Sequence, residues 1–243
     1  MRIALISDLH ANAVALDAVL DDIERIGVDR IICLGDVATL GPCPGAIIQR
    51  LRDLGCPCIL GNHDAFLLDA ELIHTYTEAP VIVEAVDWCR QQLSEDDLDF
   101  LRRFQPRLEI SLDAQATLLL FHGTPQSHME NLLCTTPPDE LDRMLAGHRA
   151  TVLAGGHTHI QMLRQYRGML IVNPGSVGLP FKEFVNGGPP TLLMHAEYAI
   201  VESSNGGAVT VNLHRVPVDK HALRRAVTEC DNPLRETLLA QYA

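Results

Sequence analysis

No stretch of this 243-residue chain approaches the roughly eighteen consecutive apolar residues that a membrane-crossing helix needs. The N-terminus MRIALISDLH does not hold the unbroken apolar run of a secretory leader either, because Asp8 and His10 interrupt it. Basic residues are scarce: 19 Lys and Arg face 31 Asp and Glu, a formal charge of −12, with no Lys/Arg run. That balance argues against a general nucleic-acid binder, whose affinity comes from neutralising phosphates. It leaves room for a phosphorylated substrate if bound cations supply positive charge locally. The seven cysteines are an odd number without framework spacing, and Cys56-Pro57-Cys58 is too tight for a Cys-x-x-Cys knuckle or redox motif. No G-x-S-x-G elbow marks a nucleophilic serine, and no internal repeat, low-complexity tract or linker divides the chain. The expectation is one domain over residues 1–243, soluble and cytoplasmic, with free thiols. Neither a membrane nor a stable nucleic-acid partner is expected.

What is present is a series of apolar runs, each stopping at a polar group. Residues 2–7 (RIALIS) form a β-rich run that ends in Asp8-Leu9-His10. Leu16, Val19, Leu20 and Ile23 then fall at i, i+3, i+4 and i+7, which predicts a helix closed by Gly27. Ile31, Ile32, Cys33 and Leu34 make a short buried strand stopping at Gly35-Asp36, so the opening reads as a parallel strand-helix-strand crossover. Gly41-Pro42-Cys43-Pro44-Gly45 is a rigid loop, 47–54 a second helix, and 58–60 a third strand ending in Gly61-Asn62-His63-Asp64. Residues 65–104 read as helical, with a capping box at Ser94 and Asp97 and with Trp88, the single tryptophan, in the core. Residues 108–112 and 117–121 predict a hairpin ending in His122-Gly123. A helix over 139–146 and a strand over 151–154 lead to Gly155-Gly156-His157-Thr158-His159. Another hairpin, 162–166 with 169–172, ends in Asn173-Pro174-Gly175-Ser176. Strands over 192–201 and 209–216 join through a turn at 203–207, and the tail from Asp219 is helical with a break at Pro233. The fold class is α/β.

Parallel strands that end in polar groups present those groups on one edge, where open α/β sheets collect ligands. The groups here are Asp8, His10, Asp36, Asn62, His63, His122, His157 and His159. Singly, each has a plain structural reading; Gly-Asp, for one, is a common turn pair. Their repeated placement after apolar strands points to a shared site. An extended backbone at 157–159 would aim both imidazoles to one side. Mixed imidazole and carboxylate donors suit Mn, Fe, Ni or Zn better than Mg or Ca. His74, His128, His148, His195, His214 and His221 have no such setting and are read as structural.

The ordered set D-x-H, G-D, G-N-H-D, H and G-H-x-H resembles the signature of the calcineurin-like metallophosphoesterases, and the match spans residues 8–159. The Gly41-Pro42 loop and Asn173-Pro174-Gly175-Ser176 are similar to the small bacterial and archaeal, phosphodiesterase-like branch. The resemblance implies a four-layer α/β/β/α sandwich of two mixed β-sheets flanked by helices. It implies two divalent transition-metal ions, manganese first, with iron, nickel or zinc as alternatives. One would be held by Asp8, His10 and His159, the other by Asn62, His122 and His157, with Asp36 bridging. A metal-bridging hydroxide would attack phosphorus in line, without a phospho-enzyme, on a small phosphodiester or phosphomonoester substrate. With Asp36, His63 would be catalytic, contacting the phosphoryl group and protonating the leaving alkoxide; Asn12 and Asn62 would join it in binding substrate. Two departures stand out. Thr39 and Leu40 occupy positions where the protein-phosphatase branch has an aspartate that orients the catalytic histidine and a phosphate-binding arginine. Ala11 stands where a glycine is frequent, tolerable unless the position needs φ > 0. The missing arginine favours phosphodiesters or small phosphoesters over the alternative, a Ser/Thr protein phosphatase. A non-catalytic scaffold is the remaining alternative.

Overall fold

A computed structural model describes residues 1–185, 188–204 and 208–243. β1 (Arg2–Ile6) is buried from Ile3 onward, the continuous apolar pattern of a strand covered on both faces. Asn12 caps α1 (Ala13–Ile26), which buries Leu16, Val19 and Ile23 and ends at Gly27 with φ 77°. β2 (Arg30–Cys33) returns parallel to β1, as the crossover predicts. α2 (Pro44–Leu54) starts on a proline and closes on left-handed Gly55.

The expected third strand at 58–60 is instead a segment with isolated bridges only, Cys33 to Cys58 and Ile59 to Gln105. Its outer groups bond to the single residue Gln105, through Gln105 N–H to Cys58 O (3.0 Å) and Leu60 N–H to Gln105 O (2.8 Å), so no ladder extends. Asn62, His63 and Asp64 are likewise not loop residues. They form the first turn of α3 (Asn62–Leu68), capped by Gly61. A 3₁₀ helix (Ala70–Thr75), α4 (Pro80–Gln91) and α5 (Glu95–Leu101) complete the helical segment, with the Ser94–Asp97 capping box formed as expected.

β3 (Leu108–Ser111) and β4 (Thr117–Leu120) pair as the predicted hairpin. α6 (Pro138–Leu145) leads to β5 (Val152–Ala154), which runs parallel to β4. β6 (Met162–Tyr166) and β7 (Met169–Asn173) form the second hairpin. β8 (His195–Ser203) starts three residues later than the expected 192, because Leu192 bridges Phe181 and Met194 packs under the C-terminal helices. β9 (Val209–Pro217), α7 (Lys220–Thr228) and α8 (Arg235–Gln241) follow, and residues 205–207 of the expected turn lie outside the described residues.

Two mixed sheets result, in the orders β2-β1-β8-β9 and β3-β4-β5-β7-β6. Ile3, Leu5, Ile32, Leu118, Leu120, Val152 and Val201 fill the space between them. The outer face of the first sheet packs under α1, α2, α4 and α5 through Ile6, Leu16, Ile47, Leu51, Val86 and Leu101. The outer face of the second is covered by Leu141 and Leu145 of α6. The fold is the expected α/β/β/α sandwich. The C-terminal ends of β1 and β2 in one sheet, and of β4 and β5 in the other, emerge at a common edge.

Candidate metal centre

At that edge β1, β2 and β5 give way to left-handed residues. Asp8 (φ 54°), His10 (42°), Asp36 (57°), His157 (71°) and His159 (57°) all lie at positive φ. A non-glycine residue there costs on the order of 1–2 kcal/mol, so strain is concentrated where side chains must be turned inward. The expectation of an extended 157–159 pair is therefore corrected. Thr158 N–H bonds back to Gly156 O at 2.8 Å, a γ-turn about His157, and the two rings converge by this turn rather than by strand pleating. Ala11 is also left-handed (φ 51°): the position does need positive φ, and bonds from Ala11 N–H to Val37 O and from Cys43 N–H to Ala11 O hold the alanine in it.

The loops interlock at glycines. A Cβ on Gly61 would lie 2.1 Å from Asp36 Oδ1, and one on Gly156 would lie 1.9 Å from Ser7 Oγ and 2.6 Å from Asp8 Oδ2. Side chains tie the same loops together. Asn173 Nδ2 donates to Gly156 O (2.6 Å), and Ser176 Oγ donates to Asp8 O (2.7 Å) while accepting from Leu179 N–H (2.8 Å). That is the structural work of the Asn173-Pro174-Gly175-Ser176 motif.

Seven side chains meet here, all at most 7% exposed. Asp8, His10 and His159 form one triad of converging donor atoms, and Asp36, His122 and His157 a second. Asn62 joins the second through Oδ1, 3.1 Å from His122 Nε2 and 2.9 Å from His157 Nδ1. In each histidine the other ring nitrogen is held from behind. His122 Nδ1 lies 2.7 Å from Leu34 O, His159 Nδ1 2.7 Å from Leu179 O, His157 Nε2 3.2 Å from Met129 O, and His10 Nδ1 3.2 Å from Thr39 Oγ1. Carbonyls accept only, so three of the four rings carry a hydrogen on the outward nitrogen and, when neutral, turn a bare lone pair inward. The inward atoms then face other acceptors: His159 Nε2 is 3.4 Å from Asp8 Oδ1, and His157 Nδ1 is 2.9 Å from Asn62 Oδ1. Asn62 Nδ2 is buried without a partner. Facing acceptors repel unless positive charge lies among them, so the residues fit a pair of bound cations.

The electrostatics agree. The ion-pair partners of Asp8 and Asp36 are histidines, with no Lys or Arg among them. Burial opposes ionisation of Asp36, but His122 and His63 overcome it and hold the carboxyl well below its usual range. Burial likewise opposes a charged His122, yet Asp36 raises it to about 10. His157 is pushed down to about 3 by burial and then by His122. His10 is driven well below its usual value by burial, His159 and His63.

The remaining expected residues divide. His63 lies beside the centre, its ring 5.1 Å from those of His10 and Phe66 and 5.8 Å from Tyr76. Its Nδ1 is buried without a partner. Asp64 does not orient it. That carboxylate accepts from the N–H groups of Asp36 (2.8 Å), Val37 (2.9 Å) and Gly61 (2.9 Å), bracing the loop that carries Asp36. Asn12 is engaged structurally, Oδ1 accepting from Ala15 N–H and Nδ2 donating to Gly178 O, which gives no support to a substrate contact. Sequence reading missed Thr39 as the support of His10, and the outward carbonyls of Leu34, Met129 and Leu179. Backbone acceptors carry no residue-type signal, so nothing could have flagged those three.

Residues 1–200 match the model of the calcineurin-like phosphoesterase superfamily domain. The chain is similar to an uncharacterised protein of Methanocaldococcus jannaschii, 31% identical over 193 residues, or 73% of this chain and 76% of that one. It is similar also to the phosphodiesterase YfcE of Escherichia coli K12, 25% identical over 222 residues, 87% of this chain and 93% of that one. Among solved structures, a metallophosphoesterase from Sphaerobacter thermophilus superposes with a TM-score of 0.75 at 27% identity, covering 100% of this chain and 98% of the other. The hypothetical protein PH1004 of Pyrococcus horikoshii, at 18% identity, shares the fold with a TM-score of 0.82 over 98% of this chain and 96% of its own.

Proposed function

The chain belongs to the calcineurin-like phosphoesterase superfamily, and from that premise we propose that it hydrolyses small phosphodiesters, with phosphomonoesters as secondary substrates. The observation that carries the metal-dependent hydrolase reading is the pair of buried Asp/His triads whose ring nitrogens and carboxylate oxygens converge with, among the described residues, no Lys or Arg side chain between them. The similarity to a phosphodiesterase supports diesters. So does Leu40, an apolar residue where a doubly charged monoester would want an arginine clamp.

In this reading Asp8, His10 and His159 would hold one cation and Asn62, His122 and His157 the other, with Asp36 shared between them. The imidazole-rich donor set favours Mn²⁺, with Fe, Ni or Zn as substitutes. Bound there, the cations supply Lewis acidity toward water and toward phosphoryl oxygens. The chain's own residues do the rest. Asp64 and the carbonyls of Leu34, Met129 and Leu179 keep the donors aimed, so little reorganisation is needed on substrate binding. His63 stands against the centre without being a donor in either triad, and it protonates the leaving oxygen.

The test is chelation, then reloading with Mn²⁺, Ni²⁺, Zn²⁺ or Mg²⁺, with metal content and hydrolysis of aryl mono- and diesters measured together. Two ions per chain, Mn²⁺-restored diester hydrolysis, and a loss of about 10²–10⁴-fold in kcat for His63→Ala with metal content unchanged are expected. Uptake of two ions with no hydrolysis of any ester would defeat the reading.

A further inference from the structure

Tyr76 lies at the end of the 3₁₀ helix, its N–H bonded to Ile73 O (2.9 Å), while the Ile73 side chain is 1% exposed and anchors the turn. Its ring meets His63 edge-on at 5.8 Å and 75° and packs on Phe66 at 5.7 Å. Much of the side chain stays accessible beside these contacts: Tyr76 is 48% exposed, and among the described residues its hydroxyl makes no hydrogen bond. The phenol sits within the field of the centre, since burial first, and then Asp36 and Asp8, raise its pKa. Two apolar side chains, Leu72 and Val81, are exposed within a few residues of it, among the exposed polar residues Glu71, His74 and Glu78. An aromatic ring left half-bare beside a charged centre, in a chain where aromatics are only 5% of residues, is a surface in search of a flat partner.

We infer that Tyr76 is the platform on which the substrate's leaving group stacks, and that this group is planar and aromatic, an aryl ring or a nucleoside. The inference rests on the phosphoesterase reading, because it takes the side of His63 to be the side on which the leaving oxygen departs. Tyr76 there acts on specificity rather than on the bond-breaking step. In that pose the phosphoryl group would lie at the Asp/His cluster, the leaving oxygen beside His63, and the attached ring against the exposed part of Tyr76. Phe181, the ring on the opposite flank, packs on His159 at 4.2 Å and belongs to the cluster under the C-terminal helices, so it offers no comparable face.

Metal-loaded wild type, Tyr76→Ala and Tyr76→Phe are compared in two ways. In calorimetry the ligands are phenylphosphonate, cyclohexylphosphonate and a nucleoside 5′-phosphonate. The first two match in charge and nearly in size but only one is flat. In kinetics the substrates are the phenyl and nucleoside methyl phosphodiesters. Base–aromatic stacking contributes about 1–3 kcal/mol, so Tyr76→Ala should weaken phenylphosphonate about tenfold or more and cyclohexylphosphonate less than about twofold. KM for the phenyl diester should rise in step with kcat little changed, and Tyr76→Phe should retain wild-type values. The nucleoside arm shows which flat group is preferred; weakening by Tyr76→Ala in either flat ligand supports the inference. Equal weakening of flat and non-flat ligands, or no weakening, overturns it. A Tyr76-dependent preference for flat ligands in a protein that hydrolyses neither ester would overturn the hydrolase reading and with it the leaving-group role, leaving Tyr76 as a stacking surface only. Hydrolysis without the preference overturns this inference and leaves the hydrolase reading standing.

Discussion

Asp64 and His63 are neighbours in the chain with different work in the site. Both are buried, but only Asp64 is fully satisfied, by three backbone N–H groups. Burial and the nearby Asp36 raise its pKa to about 7, so those three bonds are what favour its charged form. Asn12 tests the same distinction between holding and binding. Asn12→Ala should cost about 1 kcal/mol through loss of the helix cap and leave KM within about twofold, while Asn12→Ser should restore much of the stability, read by urea denaturation and steady-state kinetics. A large KM increase in both variants would return Asn12 to the substrate-binding set. Another residue, Asp22, carries a pH dependence away from the centre. Burial favours the neutral acid at Asp22, but the Tyr198 hydroxyl, 2.7 Å away, and Arg25 outweigh it and hold the carboxyl below its usual range. A lowered acid contributes stability above its unfolded pKa, near 3.9, and loses it as the pH falls through the folded value. Tyr198→Phe should therefore cost about 1 kcal/mol at pH 7, a modest figure because Asp22 is partly solvated. The difference from wild type should shrink below about pH 4, as melts at both pH values would show.

Among the elements, the strand-to-loop turns matter more than the strands. The five left-handed donor residues show that the ends of β1, β2 and β5 are bent inward rather than simply terminated. Gly156 is the tightest of these joints, so Gly156→Ala has to push either Ser7 or Asp8 aside. Metal uptake per chain, measured by elemental analysis after dialysis, should fall in this variant, and the apparent metal affinity should drop by about 10–100-fold, as for loss of a supporting contact. Unchanged uptake would mean that the 155–159 loop is softer than its packing implies. The hairpins β3-β4 and β6-β7 were legible because turn residues separate β-rich runs. The 58–60 segment misled because an apolar triplet says nothing about whether a full partner strand exists on its outer side.

For the molecule as a whole, two sheets share one core and one reactive edge, so the centre ties together parts of the chain about 150 positions apart. Cations that bind only the folded chain stabilise it by mass action, about 2.7 kcal/mol at a hundredfold excess over Kd. Removing them with a chelator should lower Tm by several degrees, and Mn²⁺ should restore it. His122→Ala should reduce that metal-dependent increment more than it changes the metal-free Tm, because it removes a donor together with a proton-bearing site.

The order of apolar runs and the polar groups at their ends already gave the α/β class, the crossover, both hairpins and the eight candidate side chains at the strand ends. Those are properties of residue type and period, which local chemistry writes into the chain. Three-dimensional packing alone determined that Asp64 braces a loop, that Thr39 supports His10, that the 157–159 pair turns through positive φ, and that Tyr76 stands half-bare beside His63. Each of these depends on which distant backbone group or ring lies within a few ångströms, and neither composition nor spacing encodes that distance.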